Sequence, residues 1–304
     1  MGAKAARQGS SLAKRAQQRV SHGTLRAAKA SLARARDFGD GARKVLQPGS
    51  HPPFISLLRA PLEASPVTGA ETELRVASYN VHRWAGLNGR GKPNIQRAGA
   101  VIAAVDADVI ALQEVLRPMG DGYSLEDLAQ NLGLHLAFAA NRIHKRGELG
   151  NAILSRYPIT TISVLDLYSS RIERRCALAA SFNTGLGAFG VVATHLSLVD
   201  RTRHRQVEML LKHPQWNAGP AVLLGDVNAW RDCKASQNLE ETLYRHSNVD
   251  WPATFPASRP IFALDRIYAS GVSVVSIKAH DTPDARRASD HLPVVAQLSR
   301  SSES

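Results

Sequence analysis

The chain has 304 residues, 44% of them apolar, which is enough to bury a sizeable core in one large domain or two smaller ones. No apolar run approaches the roughly 18 residues of a membrane-spanning helix, no compact apolar segment marks a secretory signal, and two cysteines, Cys176 and Cys233, cannot build a disulfide framework, so the cytoplasm is the expected compartment. The formal charge of +12 suggests a polyanion-binding surface, but residues 1–65 hold 12 Lys and Arg against three acids, so the basicity belongs to the N-terminal segment more than to the body.

Residues 1–36 contain no acid and are rich in Ala, Arg, Ser and Gln, with Leu12, Val20, Leu25 and Leu32 on a thin helical face. A solvated extension is the plain reading. A segment that touches an anionic polymer or a membrane surface, placing the protein peripherally on a membrane, is the second, and a transit-type targeting segment the third. Residues 37–70, with Pro48, Pro52, Pro53, Pro61 and Pro66, read as a linker, so the expected organisation is an extension and linker over 1–70 and a catalytic domain over 71–304.

From residue 73 the pattern changes. Residues 73–81, "ELRVASYNV", form a strand. Residues 94–106 carry Ile95, Ala98, Ile102 and Val105 at helical spacing, with Asn94 as N-cap. Residues 107–115 are a continuous apolar run, as in a strand buried on both faces, and 124–133 are a helix with a glycine stop. Strands are expected at 134–139, 151–155, 159–166, 176–182 and 188–196, a helix at 201–213, and strands at 220–228, 262–269, 272–279 and 293–298. Many short strands with a few helical crossovers predict an α/β fold of two sheets packed face to face, with helices on the outer faces.

Polar residues gather at the strand ends. Asn80 ends "VASYN", Glu114 ends "VIALQE", His195 ends "GVVATH", Asp226 and Asn228 end "AVLLGDVN", Asp265 lies in "FALDRIY", and Asp290 and His291 precede "LPVVAQL". Each alone has a dull explanation as a turn, a cap or a satisfied core histidine. Together they point to one cleft, because a carboxylate beside aliphatic runs costs several kcal/mol unless it is paired or binds a cation. Asn, Glu and Asp are hard oxygen donors, and no Cys/His cluster has zinc spacing, so Mg²⁺ or Mn²⁺ is the expected ion. A cation, carboxylates and two histidines together suit phosphoester hydrolysis.

The segments "SYNVH", "LQEV", "GNAILSRYPI", "THLS", "LLGDVNA", "LDRIY" and "SDHLPV" occur in this order over residues 73–300, and the chain so resembles the endonuclease/exonuclease/phosphatase superfamily, which includes deoxyribonuclease-I-like and neutral-sphingomyelinase-like enzymes. The resemblance implies a four-layer α/β sandwich of two mixed sheets and a divalent-metal-dependent phosphodiesterase. By position it implies Glu114, Asn80 and Asp290 as metal-side residues, and Asp226 and Asn228 as the pair that prepares water and holds phosphate. It implies His195 as a phosphate contact and His291 as the essential histidine paired with Asp265. Asn151 and Arg175 fall where related sequences line the cleft. Whether Asp226 or His291 is the base stays open at this level. The substrate also stays open between nucleic acid and a phospholipid headgroup, and a non-catalytic binding module on this fold is the reading from another class. "NVHRWAGL" and "QEVLRP" depart from the abasic-site endonuclease motifs, which speaks against a DNA-repair role. Trp84 and Trp230 are expected to pack, and Arg201, Arg203 and Arg205 to form a solvated face.

Overall fold

The computed structural model describes residues 52–67, 72–118, 122–144, 146–168, 174–243 and 250–301, and the expected basic extension at 1–36 lies outside them. Three apolar clusters define the layers. The innermost joins two sheets: Leu74, Val76, Val109 and Ala111 meet Leu178, Val191, Ala193, Val222 and Leu224. Alternation carries the same strands outward on their other face. Ala77, Tyr79, Ile110 and Leu112 cover a helical layer through Ile95, Val101, Ile102 and Leu128. Val192, Leu223 and Tyr268 cover a second helical layer through Val207, Leu210 and Leu239. Helix, sheet, sheet and helix thus stack as the predicted four-layer sandwich.

The first sheet contains β1 (Phe54–Arg59), β2 (Glu73–Asn80), β3 (Val109–Pro118), β4 (His135–His144), β5 (Gly147–Ser155), β11 (Val272–Ala279) and β12 (Val294–Arg300), in the order β1-β4-β5-β3-β2-β12-β11. The second contains β6 (Ile159–Asp166), β7 (Cys176–Thr184), β8 (Gly187–His195), β9 (Ala221–Asp226) and β10 (Asp265–Ser270), in the order β10-β9-β8-β7-β6. Each sheet is antiparallel except for one parallel pair: β2 with β3, joined through α1 (Ile95–Val105), and β8 with β9, joined through α3 (Asp200–Leu210). In these pairs Asn80 stands beside Gln113 and His195 beside Asp226, so both parallel units deliver polar groups at their C-terminal ends. The remaining helices are α2 (Leu125–Asn131), α4 (Lys234–Leu243) and α5 (Ala285–Ala288).

Local chemistry explains the helix boundaries. Asn94 caps α1 by accepting from Arg97 N, and the helix stops at Asp106, whose φ of 52° is left-handed. Ser124 and Asp127 form a capping box on α2. Gly99 admits α2 close to α1, since a Cβ there would meet Leu128 Cδ1 at 2.7 Å.

One reading changes. Residues 54–59, inside the stretch read as linker, form an edge strand paired antiparallel with β4, and Leu57 is buried. The prolines that suggested a linker bracket the strand instead, where a missing N–H costs no ladder bond. Ser56 Oγ donates to Glu148 Oε2 at 2.8 Å, and Ser65 N to Gly133 O at 2.8 Å, which ties the segment down on both sides. Removing residues 1–60 is therefore expected to lower stability by roughly 2–4 kcal/mol, the scale of one buried aliphatic side chain and a few ladder bonds. Urea unfolding against the full chain checks this, and an unchanged midpoint would show that β1 contributes nothing.

Candidate active site

The inward-facing files that build the sheet-to-sheet core each end in a polar residue at one rim. On β2 the file runs Leu74, Val76, Ser78, Asn80; on β8, Val191, Ala193, His195; on β9, Val222, Leu224, Asp226. β10 runs antiparallel to β9, so its first residue, Asp265, lies opposite Asp226. Period-two alternation thus sends Asn80, His195, Asp226 and Asp265 into the same space.

Asp226 is the hub. Asn80 Nδ2 donates to its Oδ2 at 3.1 Å, across the gap between the sheets. His195 Nε2 lies 3.4 Å and His291 Nε2 3.7 Å from the same oxygen. Oδ1 accepts from Asn228 N at 3.0 Å. Asn228 sits at φ 51°, a region asparagine tolerates, and its Nδ2 donates to Leu196 O at 2.9 Å, which fixes the amide. His291 Nδ1 donates to Asp265 Oδ2 at 2.7 Å, and Thr254 Oγ1 donates to that oxygen at 2.6 Å.

Burial makes these groups unusual. Asp226 is pushed up to about 7, first by burial and further by the Asp265 charge, against the opposing pull of His291 and the Asn80 bond. Burial opposes protonation of His291, but the charges of Asp265 and Asp226 and the bond to Asp265 outweigh it and lift the imidazole to about 10. His195 is held well below the usual histidine range by burial, with Arg175 and His291 adding to the effect, so it is neutral. Asp226, Asp265 and His291 also bring potential ligand atoms within 4.8 Å of one another, a grouping that could hold a metal ion. The bond already joining His291 to Asp265 and the Thr254 hydroxyl favour proton handling there instead.

The oxygen donors at the other end fit a hard cation better. Alternation would turn Gln113 inward, and Gln113 is indeed fully buried. A register shift between Leu112 and Val115 turns Glu114 to the cleft instead, at φ 50°, a strained backbone for a glutamate. Its carboxylate lies 3.4 Å from Arg83 Nε. Asp290 is pushed up by burial and by the Glu114 charge, while His291 and His82 pull it down, and His82 Nδ1 lies 3.1 Å from its Oδ1. Ser289 Oγ donates to Asn80 O at 2.6 Å, which docks the Asp290 turn on β2. Two carboxylates that repel each other, with the amide of Asn80 nearby, are a donor set suited to a divalent ion.

Glu114, Asn151, Arg175 and His195 line one recess of about 200 Å³, and Asn151 Nδ2 donates to Cys176 O at 2.9 Å. The structure thus gathers Asn80, His195, Asn228, Asp265 and His291 around Asp226, and sets Glu114, Asn151 and Arg175 in a recess that His195 shares, with the Asp290 carboxyl under the influence of both His291 and Glu114. Sequence reasoning missed His82, Arg83, Thr254 and Ser289. His82 and Ser289 adjoin motif residues and could have been noticed; Thr254 carries no such signal. Trp84 is fully buried and donates to Leu116 O at 2.7 Å, so it packs as expected. Trp230 is 42% exposed, with its ring edge-on to Phe255 at 5.7 Å and Phe262 at 5.3 Å, and Phe255 lies 4.8 Å from the His291 ring. Arg203, expected on a solvated face, is buried instead: it donates to Ser197 O at 2.8 Å, pairs with Asp200 and anchors the loop after His195. No helix among the described residues is long and apolar enough to cross a membrane.

Comparison with known proteins places the fold and the family. The Escherichia coli (strain K12) protein YbhP is 31% identical over 249 residues, spanning 74% of this chain and 95% of its own length. An endonuclease/exonuclease/phosphatase from Beutenbergia cavernae superposes with a TM-score of 0.61 at 26% identity, over 75% of this chain and 72% of that one. A mannosyl-6-phosphatase from Bacteroides thetaiotaomicron shares the fold with a TM-score of 0.58 at 20% identity, over 74% and 99% of the two chains. The sequence model of the endonuclease/exonuclease/phosphatase family matches residues 78–291, the span from the end of β2 to the His291 turn that holds the whole cluster, and the chain belongs to that family.

Proposed function

We propose that the protein is a divalent-metal-dependent phosphoester hydrolase that acts on phosphodiesters by in-line attack of an activated water. The observation that carries this reading is the Asp226 hub: one buried carboxylate with a pKa near neutral, within reach of two histidines and two asparagines. Family membership supports the reaction class. A recess on the His195 side leaves room for a group beside the phosphate, and the part-exposed Trp230, edge-on to Phe255 and Phe262, offers an apolar surface on the His291 side, which favours a diester.

The division of labour follows from protonation. Asp226, poised near 7, is the better general base at neutral pH and takes the proton of the attacking water. His291, held as imidazolium by Asp265, presents Nε2–H to the phosphoryl oxygens and offsets their growing charge. Neutral His195 contributes a second N–H, and Asn228 orients water and phosphate. Glu114 and Asp290, with the Asn80 amide oxygen, are the residues that would hold the cation. Bound there, Mg²⁺ or Mn²⁺ would supply Lewis-acid neutralisation of the phosphoryl and leaving oxygens.

A hydrolysis panel tests the reading: bis-p-nitrophenyl phosphate, plasmid DNA, RNA, sphingomyelin and phosphatidylinositol phosphates, each with Mg²⁺, Mn²⁺ or EDTA. At least one ester should be cleaved, and EDTA should stop it. Cleavage of polynucleotide or of a phospholipid headgroup decides between the two substrate classes. Glu114→Gln should raise the Mg²⁺ concentration for half-maximal activity by about 10- to 100-fold. An unchanged Mg²⁺ dependence would place the ion elsewhere.

A further inference from the structure

We propose that the arginine-lined recess beside His195 binds a second phosphate carried by the substrate, one not being cleaved. The inference rests on the hydrolase reading and names the substrate class of that same site. The recess has a volume of about 200 Å³, and its walls include Arg83, Arg142, Arg174 and Arg175, with Glu114 as the carboxylate among its lining residues. Four guanidiniums exceed what one phosphodiester needs, since that group carries a single negative charge. Two of its walls, Glu114 and His195, belong to the catalytic groups, so the recess opens directly from the site of the scissile phosphate. Arg142 stands near the end of β4 opposite Leu149 of β5, Arg174 and Arg175 stand immediately before β7, and Arg83 lies in the turn after β2.

Hydrogen bonding points the same way. Nε of Arg83 and Nε of Arg174 are buried without a hydrogen-bond acceptor. Arg83 Nε has Glu114 at 3.4 Å, and the Arg174 guanidinium stacks 5.0 Å over the Tyr168 ring, an arrangement that holds the group without using its N–H donors. Asn141 is 6% exposed and lines the same recess, and its Oδ1 has no donor. Buried donors without acceptors cost free energy that a bound oxyanion recovers, and a hydroxyl next to that oxyanion satisfies the Asn141 oxygen. The ligand so described is a hydroxylated phosphoester bearing a second phosphate. Arginine suits the task because its planar fork meets phosphate in bidentate fashion.

Two chromogenic esters that differ by one phosphate form the test: thymidine 5′-(p-nitrophenyl phosphate) with and without a 3′-phosphate, assayed with Mg²⁺ alongside bis-p-nitrophenyl phosphate. The bisphosphorylated ester should be favoured by about tenfold or more in kcat/KM, the effect of one or two charge-assisted hydrogen bonds. In Arg142→Ala and Arg174→Ala the ratio between the two esters should fall to near one. Calorimetric binding of thymidine 3′,5′-bisphosphate against thymidine 5′-phosphate reads the recess without any chemistry and should show the same preference and the same loss in both variants. A ratio near one in the unmodified protein, with equal binding of the two nucleotides, overturns the proposal and leaves the hydrolase reading standing. Failure to cleave any ester, with the binding preference intact, overturns the hydrolase reading and keeps the anion site.

Discussion

Asp226→Asn is expected to keep substrate binding and to lose about three orders of magnitude in turnover, the middle of the range for removal of a general base. The substitution conserves shape, so the Asn228 N–H still finds an acceptor at the former Oδ1. The other position then carries an NH₂ group that faces the Asn80 Nδ2 donor and both histidines, and it cannot take a proton from water. Single-turnover rates and the affinity for a non-hydrolysed analogue separate chemistry from binding. A loss in kcat of less than tenfold would remove Asp226 as the base. Stability should become less dependent on pH. Burial raises the native carboxyl from the ordinary 3.8 to about 7, so the folded protein binds this proton more tightly than the unfolded chain. Stability linked to this group is full below the unfolded value and is lost as pH rises through 7. The variant lacks this titration, so its stability should fall less than the parent's as pH rises from 4 to 7.

The sequence carried much of this site because the fold delivers it by simple alternation. Asn80, His195 and Asp226 each terminate an apolar file, and a reader who counts by twos from Leu74, Val191 or Val222 arrives at them. Glu114 breaks that rule. Counting from Val109 and Ala111 selects Gln113, and only the bulge with its positive φ brings the next residue to the cleft. The sequence marks Glu114 as the polar end of "VIALQE", but its metal-side role rests on the "LQEV" resemblance, because a bulge leaves no composition signal. Local pattern could not show β1 either, since six residues between prolines are too few for a period and their pairing with β4 lies about 80 residues away. Helix α4 was overlooked for a related reason: "KASQNLEETL" has few apolar residues, and its buried stripe of Ala235, Leu239 and Leu243 is visible only once α3 lies beside it. Arg203 shows the reverse error. Its charge suggested solvent, yet the carbonyls of Ser197 and Leu198 and the Asp200 carboxylate satisfy it in the interior.

Asp265→Asn should lower turnover by about 10²–10⁴-fold and, more tellingly, move the pH profile. The unmodified protein is expected to show a bell in kcat, rising through about 7 as Asp226 ionises and falling toward 10 as His291 loses its proton. Asp226 Oδ2 and His291 Nε2 lie 3.7 Å apart, so the limbs belong to the pair and not to single residues. Burial works against a charged His291, and the Asp265 carboxylate is the largest influence opposing it. Removing that charge lets burial dominate, and the alkaline limb should move at least one pH unit toward neutrality. The same charge raises Asp226, so the acid limb should also shift down, by less. The Thr254 hydroxyl, which donates to Asp265 Oδ2 at 2.6 Å, can donate to the amide oxygen as well, so the turn before β10 should hold. Linkage gives an independent check. With a folded pKa near 10 against 6.5, His291 stabilises the protein fully below pH 6.5, and this contribution is lost as pH rises through 10. Asp265→Asn should therefore melt lower than the parent at pH 6, with the gap closing above pH 10. A variant whose alkaline limb stays in place would show that His291 is not the group whose proton sustains turnover, and the imidazolium would have to be replaced by another donor, with His195 the other imidazole beside Asp226.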